Sequence, residues 1–370
     1  MTFDALARIE PSWLSSDEIA LQNDPITIMS GARIRRNLKG FPFPATCDKS
    51  QLFDTAALLL GTIGRSDEWT SCDFRMIDSL DGLSKNLLLE TKIITATFAD
   101  GGAGRFLLRD DEGTVACMIN EEDHLSVSAT HPGFVLHDAA KTAAVFVDAV
   151  PLELANDPVL GFLTANPNYV GSGLQAFTLL HLPALDASGE IGRVVASFER
   201  DWGRVSMYKL LSDKNNASGS FYLISNKVTL GVTPDEIVEL VVDATHSLVS
   251  KEMFARHKIT NAKNGDMNDR FWRAWGLLRH ARKLAFSEAV NKASFVKLGS
   301  DLGILPKLDE RAWRRLIVGA QRHHLGATCK RIVEPPEEPF IRASLFRQFI
   351  ENAGAKTLPC TPDYNKELQK

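Results

Sequence analysis

The sequence lacks the features that mark secreted, metal-binding and membrane-spanning proteins. Its five cysteines in 370 residues are odd in number and scattered, and none stands in C-x-x-C spacing. This pattern argues against a disulfide framework and against a zinc site. No apolar run approaches the roughly 20 residues that a membrane span needs, and no basic and apolar signal segment opens the chain. We therefore expect a cytoplasmic protein with reduced cysteines, no metal site and no membrane association.

The composition is typical of a globular protein with two domains. Hydrophobic residues make up 44% and charged residues 24% of the chain, and its length suits two domains. A polar stretch near residue 260 is the predicted boundary. Residues 1–259 then form the larger domain and residues 260–370 the second.

The stretch at 114–125, T-V-A-C-M-I-N-E-E-D-H-L, joins an apolar strand to a group of titratable side chains. The mixed alternation of its first six residues predicts a strand in a sheet covered on both faces. The strand leads into Glu121, Glu122, Asp123 and His124. Two interpretations of this corner stay open: a solvated strand-to-loop turn, or a site in which a carboxylate is held ionised.

Patterns on both sides of this strand predict an α+β domain. Helices are predicted at 50–61, 77–90 and 138–150, and further strands at 105–109, 194–199, 205–211 and 221–225. A Gly-ended turn at 110–113 predicts a β-hairpin. Several strands in succession, flanked by helices, indicate a mostly antiparallel sheet.

The last third of the sequence predicts a small helical bundle. Thr233 to Glu236 has the pattern of a capping box, and the helix that it opens continues to about residue 258. Amphipathic helices follow at 269–283, 286–297, 309–323 and 339–352. We expect the doublet His323-His324 to lie on a helix surface.

Charge is distributed unevenly along the chain. Residues 251–330 contain 17 Lys or Arg and 7 Asp or Glu, a balance of +10, whereas the whole chain carries −4 and the remainder therefore −14. Three explanations are open: an acidic surface or phosphorylated ligand, a solvated helix face, or a contact with the chain's own acidic domain. A base-stacking aromatic pattern is missing, so nucleic acid is not an expected partner.

Four motifs occur in order along the chain. They are R-N-L with F-P-F-P at 36–44, N-E-E-D-H-L at 120–125, G-F-L-T-A-N-P-N-Y-V-G-S-G-L-Q at 161–175, and F-Y-L-I-S-N-K-V-T-L-G at 221–231. Together they resemble the guanidino phosphotransferases, the family of creatine and arginine kinases, and most closely the bacterial McsB-type protein-arginine kinases. Each motif alone is weak, but their shared order is a strong signal for the fold. The resemblance implies that family's catalytic-domain architecture, with the helical bundle attached.

In that family the γ-phosphoryl group of ATP passes in line to a guanidinium nitrogen, and arginines neutralise the phosphates. The resemblance assigns the phosphate-binding positions to Ser30, Arg33, Arg35, Ser126 and Gln175. An ungapped alignment places the two arginines of the family's S-x-R-x-R on Gly31 and Arg33, whereas a gapped one places them on Arg33 and Arg35. At most two arginines of the clamp are retained.

Other basic residues are candidates to replace the lost arginines, although their spacing gives no support for it: Arg200, Arg204, Lys209 and Lys214. On the guanidinium side, Glu122 matches the family's substrate-orienting glutamate. The reactive cysteine falls on Asn166 and the second glutamate on Asn216. An amide supplies no negative charge to favour a deprotonated, nucleophilic nitrogen.

The last predicted helix also departs from the family pattern. The protein-arginine kinases carry E-R-D-x-x-R-A, a motif associated with phosphoarginine, and the run aligned with it here begins at Glu338 and keeps Arg342. Two roles for Arg342 are therefore open: a remnant of that site, or a surface residue of an amphipathic helix.

These replacements predict a catalytically impaired pseudokinase that acts as a regulatory or arginine-binding partner. Its expected partners are protein segments bearing arginine or an active kinase relative, in a homo- or heterodimer. The alternative is an active ATP-dependent protein-arginine kinase with a rearranged phosphate clamp. A third possibility is a structural subunit. No cofactor is expected in the first case, and MgATP is expected in the second.

Overall fold

The computed structural model describes residues 5–15, 25–210, 212–213, 216–217, 219–261 and 265–354. The first part of the chain contains α1 (Ala5–Arg8), α2 (Ser12–Ser15), β1 (Thr27–Arg36), α3 (Lys49–Ile63), β2 (Cys72–Met76), α4 (Gly82–Glu90), α5 (Ala96–Ala99), β3 (Phe106–Asp110), β4 (Val115–Ile119), β5 (Leu125–Pro132) and α6 (Leu136–Asp148). It continues with β6 (Asn156–Asp157), β7 (Gly161–Phe162), β8 (Leu174–His181), α7 (Pro183–Ala187), α8 (Ile191–Asp201), β9 (Val205–Lys209), β10 (Ser212–Asp213), β11 (Asn216–Ala217) and β12 (Phe221–Asn226). The last part is helical, with α9 (Pro234–Asn261), α10 (Gly265–His280), α11 (Phe286–Asp301), α12 (Glu310–Gly319), α13 (Arg322–Cys329) and α14 (Glu338–Gly354).

Eight of the strands that precede the helical part form one sheet, in the order β2-β3-β4-β5-β1-β8-β12-β9. Every neighbouring pair is antiparallel, which confirms the predicted α+β architecture. Because side chains alternate along a strand, the sheet has two distinct faces. One face carries Ala32, Val127, Ala176 and Ile224, all fully buried, and helices α6 and α9 pack against it. The other carries Arg33 and Arg35, and we call it the arginine face.

The strand predicted from residue 114 is confirmed as β4. All five of its residues are buried, and the Cys117 side chain has no exposed surface. Its hairpin partner is β3, in the predicted antiparallel pairing. The capping box is confirmed too, because Glu236 N–H donates to the Thr233 hydroxyl at 3.2 Å and Thr233 N–H donates to the Glu236 carboxylate at 2.8 Å.

Three predicted elements differ from the structure. The helix predicted at 309–323 ends at Gly319, and a separate helix, α13, begins at Arg322. The strand predicted at 194–199 is wrong, because these residues belong to helix α8. Their apolar residues recur at helical spacing as well, and Phe198 inserts fully into the core, so tertiary packing overrides the β-branched pair Val194-Val195. The helix predicted at 77–90 begins only at Gly82, since the Asp81 carboxylate caps it by accepting from Ser84 N–H at 2.9 Å.

The helical part contacts the first part through several elements, including α13 with α4. The Glu90 carboxylate, at the end of α4, accepts hydrogen bonds from the backbone N–H groups of His323 (2.9 Å) and His324 (3.1 Å). Both imidazole Nδ1 atoms lie within hydrogen-bonding distance of the same carboxylate. The doublet lies on helix α13 with both side chains partly exposed, and it also pairs with Glu90 of the sheet-based part. No helix in the described part of the chain is long and apolar enough to cross a membrane.

Candidate functional site

A single row of paired residues crosses the arginine face. Register places Arg109 of β3 opposite Ala116 of β4, Ala116 opposite Ser128 of β5, and Ser128 opposite Arg33 of β1, with Gln175 of β8 completing the row. In the adjacent row Arg35 is paired with Ser126. The sheet therefore gathers four predicted phosphate-side residues: Arg33, Arg35, Ser126 and Gln175.

In the part of the chain that the structure describes, the guanidinium groups of Arg33 and Arg35 keep donors without partners, although contacts hold that of Arg35 in place. Arg35 donates through Nη2 to the Gln175 Oε1 at 3.0 Å, and its guanidinium lies 3.7 Å from the centroid of the Tyr169 ring. Gln175 in turn donates to the Ser225 hydroxyl at 3.3 Å. Within the described residues, Arg33 Nε and Arg35 Nε and Nη1 are buried without a hydrogen-bond partner. These donors, aimed from one strand face, are suited to an anion.

Burial and like charge act together on this pair. Burial, and after it the neighbouring Arg35, lowers the pKa of Arg33 to about 10. Arg33 is thus still charged at neutral pH. Two adjacent cations that donate few hydrogen bonds are stabilised by a bound anion, because the anion supplies both opposite charge and hydrogen-bond acceptors.

Ser30 lies apart from this cluster. Its hydroxyl donates to the Gly133 carbonyl at 2.8 Å and accepts from Val135 N–H at 3.1 Å, on the face of β1 that helix α6 covers. Arg33 and Arg35 project from the opposite face. The structure therefore brings together the residues of the gapped alignment and separates Ser30 from them.

Glu122 and Asn166 line one cavity of about 440 Å³, together with Arg105. Glu122 is the exposed member of its motif, and burial, with Glu121 adding to it and Arg35 opposing it, raises its pKa. The Asn166 side chain accepts from Asn168 N–H at 3.1 Å. The predicted guanidinium-side pair is thus assembled, with one carboxylate and one amide lining the same space.

The remainder of the N-E-E-D-H corner is buried, so the interpretation as a solvated turn is wrong for it. Asp123 Oδ1 accepts from Asn37 Nδ2 at 2.6 Å and from Ala165 N–H at 2.7 Å, which fixes the loop preceding Asn166. Burial lowers the pKa of His124 to about 4, and the neutral ring accepts from Leu38 N–H at 3.1 Å. These two side chains position the corner.

The remaining predicted residues lie elsewhere. The backbone of Asn216 pairs with Asp213 in the β10–β11 hairpin, and its side chain is outside what the structure describes. Lys214 is outside the described residues as well. Lys209 points away from the arginine face toward Asp186, 3.3 Å away, and the exposed Arg200 pairs with its neighbour Asp201. Arg204 is exposed and does not line the cavity of Glu122 and Asn166.

Sequence reasoning missed Arg109, which shares the cross-strand row of Arg33. Both line a second cavity of about 360 Å³ that also includes Lys92, Gln175 and Tyr208. Arg109 donates to the Ile9 carbonyl at 2.8 Å, so the N-terminal segment closes this end of the cavity. Only the register of β3, β4, β5 and β1 could have revealed it, because 75 positions of chain separate the two arginines.

Arg342 is a buried residue that already has hydrogen-bond partners within the chain. It is 3% exposed and donates to the carbonyls of Ala320 (2.8 Å) and Leu284 (3.1 Å), so the interpretation as a surface residue is wrong. The Glu338 carboxylate lies 3.1 Å from Arg322 Nε and 3.4 Å from Arg342 Nη2. An internal carboxylate therefore already pairs with both guanidinium groups.

The antiparallel sheet with its helical C-terminal part is the fold of the guanidino phosphotransferase class. Residues 60–255 match the ATP:guanido phosphotransferase C-terminal catalytic domain, and residues 264–359 match the protein-arginine kinase McsB C-terminal domain. The chain is 32% identical to the protein-arginine kinase of Moorella thermoacetica over 88% of its own length and 94% of that protein. For the Halothermothrix orenii protein-arginine kinase the identity is 30%, over 87% and 92%. The chain belongs to the protein-arginine kinase family.

Solved structures of two guanidino kinases have the same fold. Lombricine kinase superposes with a TM-score of 0.52 and 19% identity over 66% of this chain and 71% of that one. The duplicated taurocyamine kinase of Schistosoma mansoni, bound to components of a transition-state analog, gives 0.55 and 18% over 68% and 36%. At these identities the similarity is one of fold alone.

Proposed function

We propose that this chain is a protein-arginine kinase relative with strongly impaired phosphoryl transfer that binds arginine-bearing protein segments. One observation carries the proposal. Uncharged Ser126 and Gln175 face Arg35 and Arg33 at the positions where the family resemblance expects further phosphate-binding arginines. Loss of one preorganised transition-state donor typically costs roughly 3 kcal/mol, so several losses remove most of the acceleration even when they are not additive.

The guanidinium-side cavity supports binding without catalysis. Glu122 offers a carboxylate to a substrate guanidinium, and Asn166 offers an amide oxygen, in one cavity. Because the Asn166 amide is neutral, it adds nothing to what the Glu122 carboxylate does to make the substrate nitrogen nucleophilic. The relatives are named protein-arginine kinases, and a protein-borne arginine is accordingly the ligand that we propose here. The partner would be such a segment or an active relative, with this chain in a dimer.

Calorimetric titration with MgATP tests the impairment. We expect a dissociation constant of about millimolar or weaker, because each missing charge-assisted contact leaves phosphate charge uncompensated. Phosphoarginine formation should stay at background. A low-micromolar constant, or phosphoarginine formation that Glu122→Gln abolishes and the exposed-site control Glu112→Gln leaves intact, would overturn the proposal.

A peptide with a single arginine tests the binding half. Glu122→Gln should weaken its affinity about tenfold or more, the range for losing a charge-assisted hydrogen bond, and a lysine-for-arginine peptide should bind weakly. Equal binding of both peptides would contradict recognition of the guanidinium.

An active kinase with a rearranged clamp is the second candidate. The unpartnered donors of Arg33 and Arg35 favour it, since they retain an anion site at the centre of the sheet. The titration above separates the two candidates.

A further inference from the structure

The helical part of the chain contributes to a basic cleft that no step of the proposed function uses. It is a cavity of about 460 Å³ between α7, β9, α10 and α11. The cations that line this basic cleft are Lys209, Arg270, Arg273 and Lys292, against the single carboxylate of Asp186. Its lining is thus three positive charges in excess.

The excess of positive charge in the cleft tests one explanation of the basic helical part, namely that the chain's own carboxylates neutralise it. If the chain's own acidic domain neutralised the helical part here, carboxylates would line the cleft beside each cation. Lys209 does pair with Asp186, at 3.3 Å, and Arg273 pairs with Asp269, at 2.6 Å. Among the described residues, Lys292 and Arg270 have no carboxylate partner, and the Lys292 side chain is partly buried. Their charge is left for a ligand.

The shape of the cleft distinguishes a small ligand from an acidic protein surface. Cations from β9, α10 and α11 surround a partly apolar floor of Ala274, Leu277 and Phe295. The Arg270 guanidinium lies 5.2 Å from the centroid of the Phe295 ring. A cavity of this volume falls within the range of about 300–1,000 Å³ that is usual for small-molecule sites. An apolar floor beneath converging cations is suited to an organic molecule that carries phosphate.

Two hydrogen bonds hold the walls of the cleft together. Asn291 Oδ1 of α11 accepts from Gly219 N–H, just before β12, at 2.6 Å. Asp186 of α7 accepts from the Tyr222 hydroxyl of β12 at 3.1 Å, so it positions Lys209 as well. Walls fixed before a ligand arrives lower the entropic cost of binding.

We propose that the basic cleft is a second ligand site, which takes a small phosphorylated organic anion. It is separate from the arginine face, because Lys209 and Tyr208 are neighbours on β9 and point to opposite faces of the sheet. The proposal is independent of phosphoryl transfer and of arginine binding.

Titration of the full chain with inorganic pyrophosphate, in buffer without magnesium, tests the site. We expect one bound pyrophosphate, with affinity reduced about tenfold or more by Arg270→Gln combined with Lys292→Gln, the range for losing charge-assisted hydrogen bonds. Lys292→Gln alone, which breaks no ion pair, should give a smaller loss in the same direction. The exposed Arg282→Gln, which lies outside the cleft, is the matched control and should bind as the unaltered chain does.

Three results of the pyrophosphate titrations would overturn the proposal. They are the absence of pyrophosphate binding, a loss on Arg33→Gln that the cleft variants do not share, and an equal loss on Arg282→Gln. A peptide of consecutive glutamates that binds the cleft when pyrophosphate does not would also overturn it, in favour of an acidic protein surface. Melting temperatures of each variant show that the comparison is between folded proteins.

Discussion

At the scale of single residues, the arginine face combines two cations with neutral neighbours. Ser126 and Gln175 stand directly opposite Arg35 and Arg33 on the adjacent strands. Like charges opposite one another destabilise a sheet, and a bound polyanion reverses that effect. The neutral residues therefore relieve repulsion in the free protein at the expense of affinity for phosphate.

We expect the combined change Ser126→Arg, Gln175→Arg and Asn166→Cys to raise MgATP affinity and to lower thermal stability in the absence of nucleotide. Each single change should do little to binding, since clamp residues act as a unit. Calorimetry and melting curves with and without MgATP measure both effects. A matched variant without charge, Ser126→Gln with Gln175→Met, should not gain affinity. If it gains as much, the explanation by charge fails. If Gln175→Arg alone accounts for the whole gain, the residues do not act as a unit.

At the scale of elements, β1 and β8 pack so closely that one position must be glycine. Gly31 is paired with Phe177, and a Cβ atom at Gly31 would lie 2.3 Å from the Phe177 ring. The ring thus occupies the space where the ungapped alignment placed the family's first arginine. Large side chains cannot return to position 31 while Phe177 is present.

We expect Gly31→Ala to lower the free energy of unfolding by about 1–3 kcal/mol through overpacking. Adding Phe177→Ser to Gly31→Ala should cost less than Phe177→Ser costs in the unaltered chain, because the clash is removed. Denaturant unfolding of all four proteins gives the coupling energy. Gly61→Ala in helix α3, where a Cβ meets open space, is the control and should be neutral or stabilising. Additive changes at positions 31 and 177 would show that the two residues do not clash.

At the scale of the whole molecule, Glu90 joins the sheet-based part to the helical part. Burial alone would raise the pKa of Glu90, but hydrogen bonds from His323 and His324 outweigh it and lower the pKa from 4.5 to about 2. A carboxyl whose folded-state pKa is depressed stabilises the fold fully above its unfolded-state pKa. That contribution is lost as the pH falls from about 4.5 toward 2.

We expect Glu90→Gln to reduce stability at neutral pH by roughly 3 kcal/mol at most, from the size of the pKa shift. The difference between variant and unaltered chain should shrink as the pH falls through 4 and 3. Unfolding free energies measured across that range test it. A difference that stays constant with pH would mean that the ionised carboxylate is not what stabilises this junction.

The sequence by itself determined the antiparallel sheet, the β3–β4 hairpin, the capping box of α9 and the family, because these follow from local periodicity and ordered motifs. It also named Arg33, which lines one cavity, and Glu122 and Asn166, which line another. Tertiary structure alone decided which residues share a face. Strand register placed Arg109 beside Arg33 and separated Ser30 from them, while core packing made 194–199 a helix. Domain contact turned a histidine doublet into a partner for Glu90. Such pairings join positions far apart in the chain, and the periodicity of either segment alone carries no information about the other.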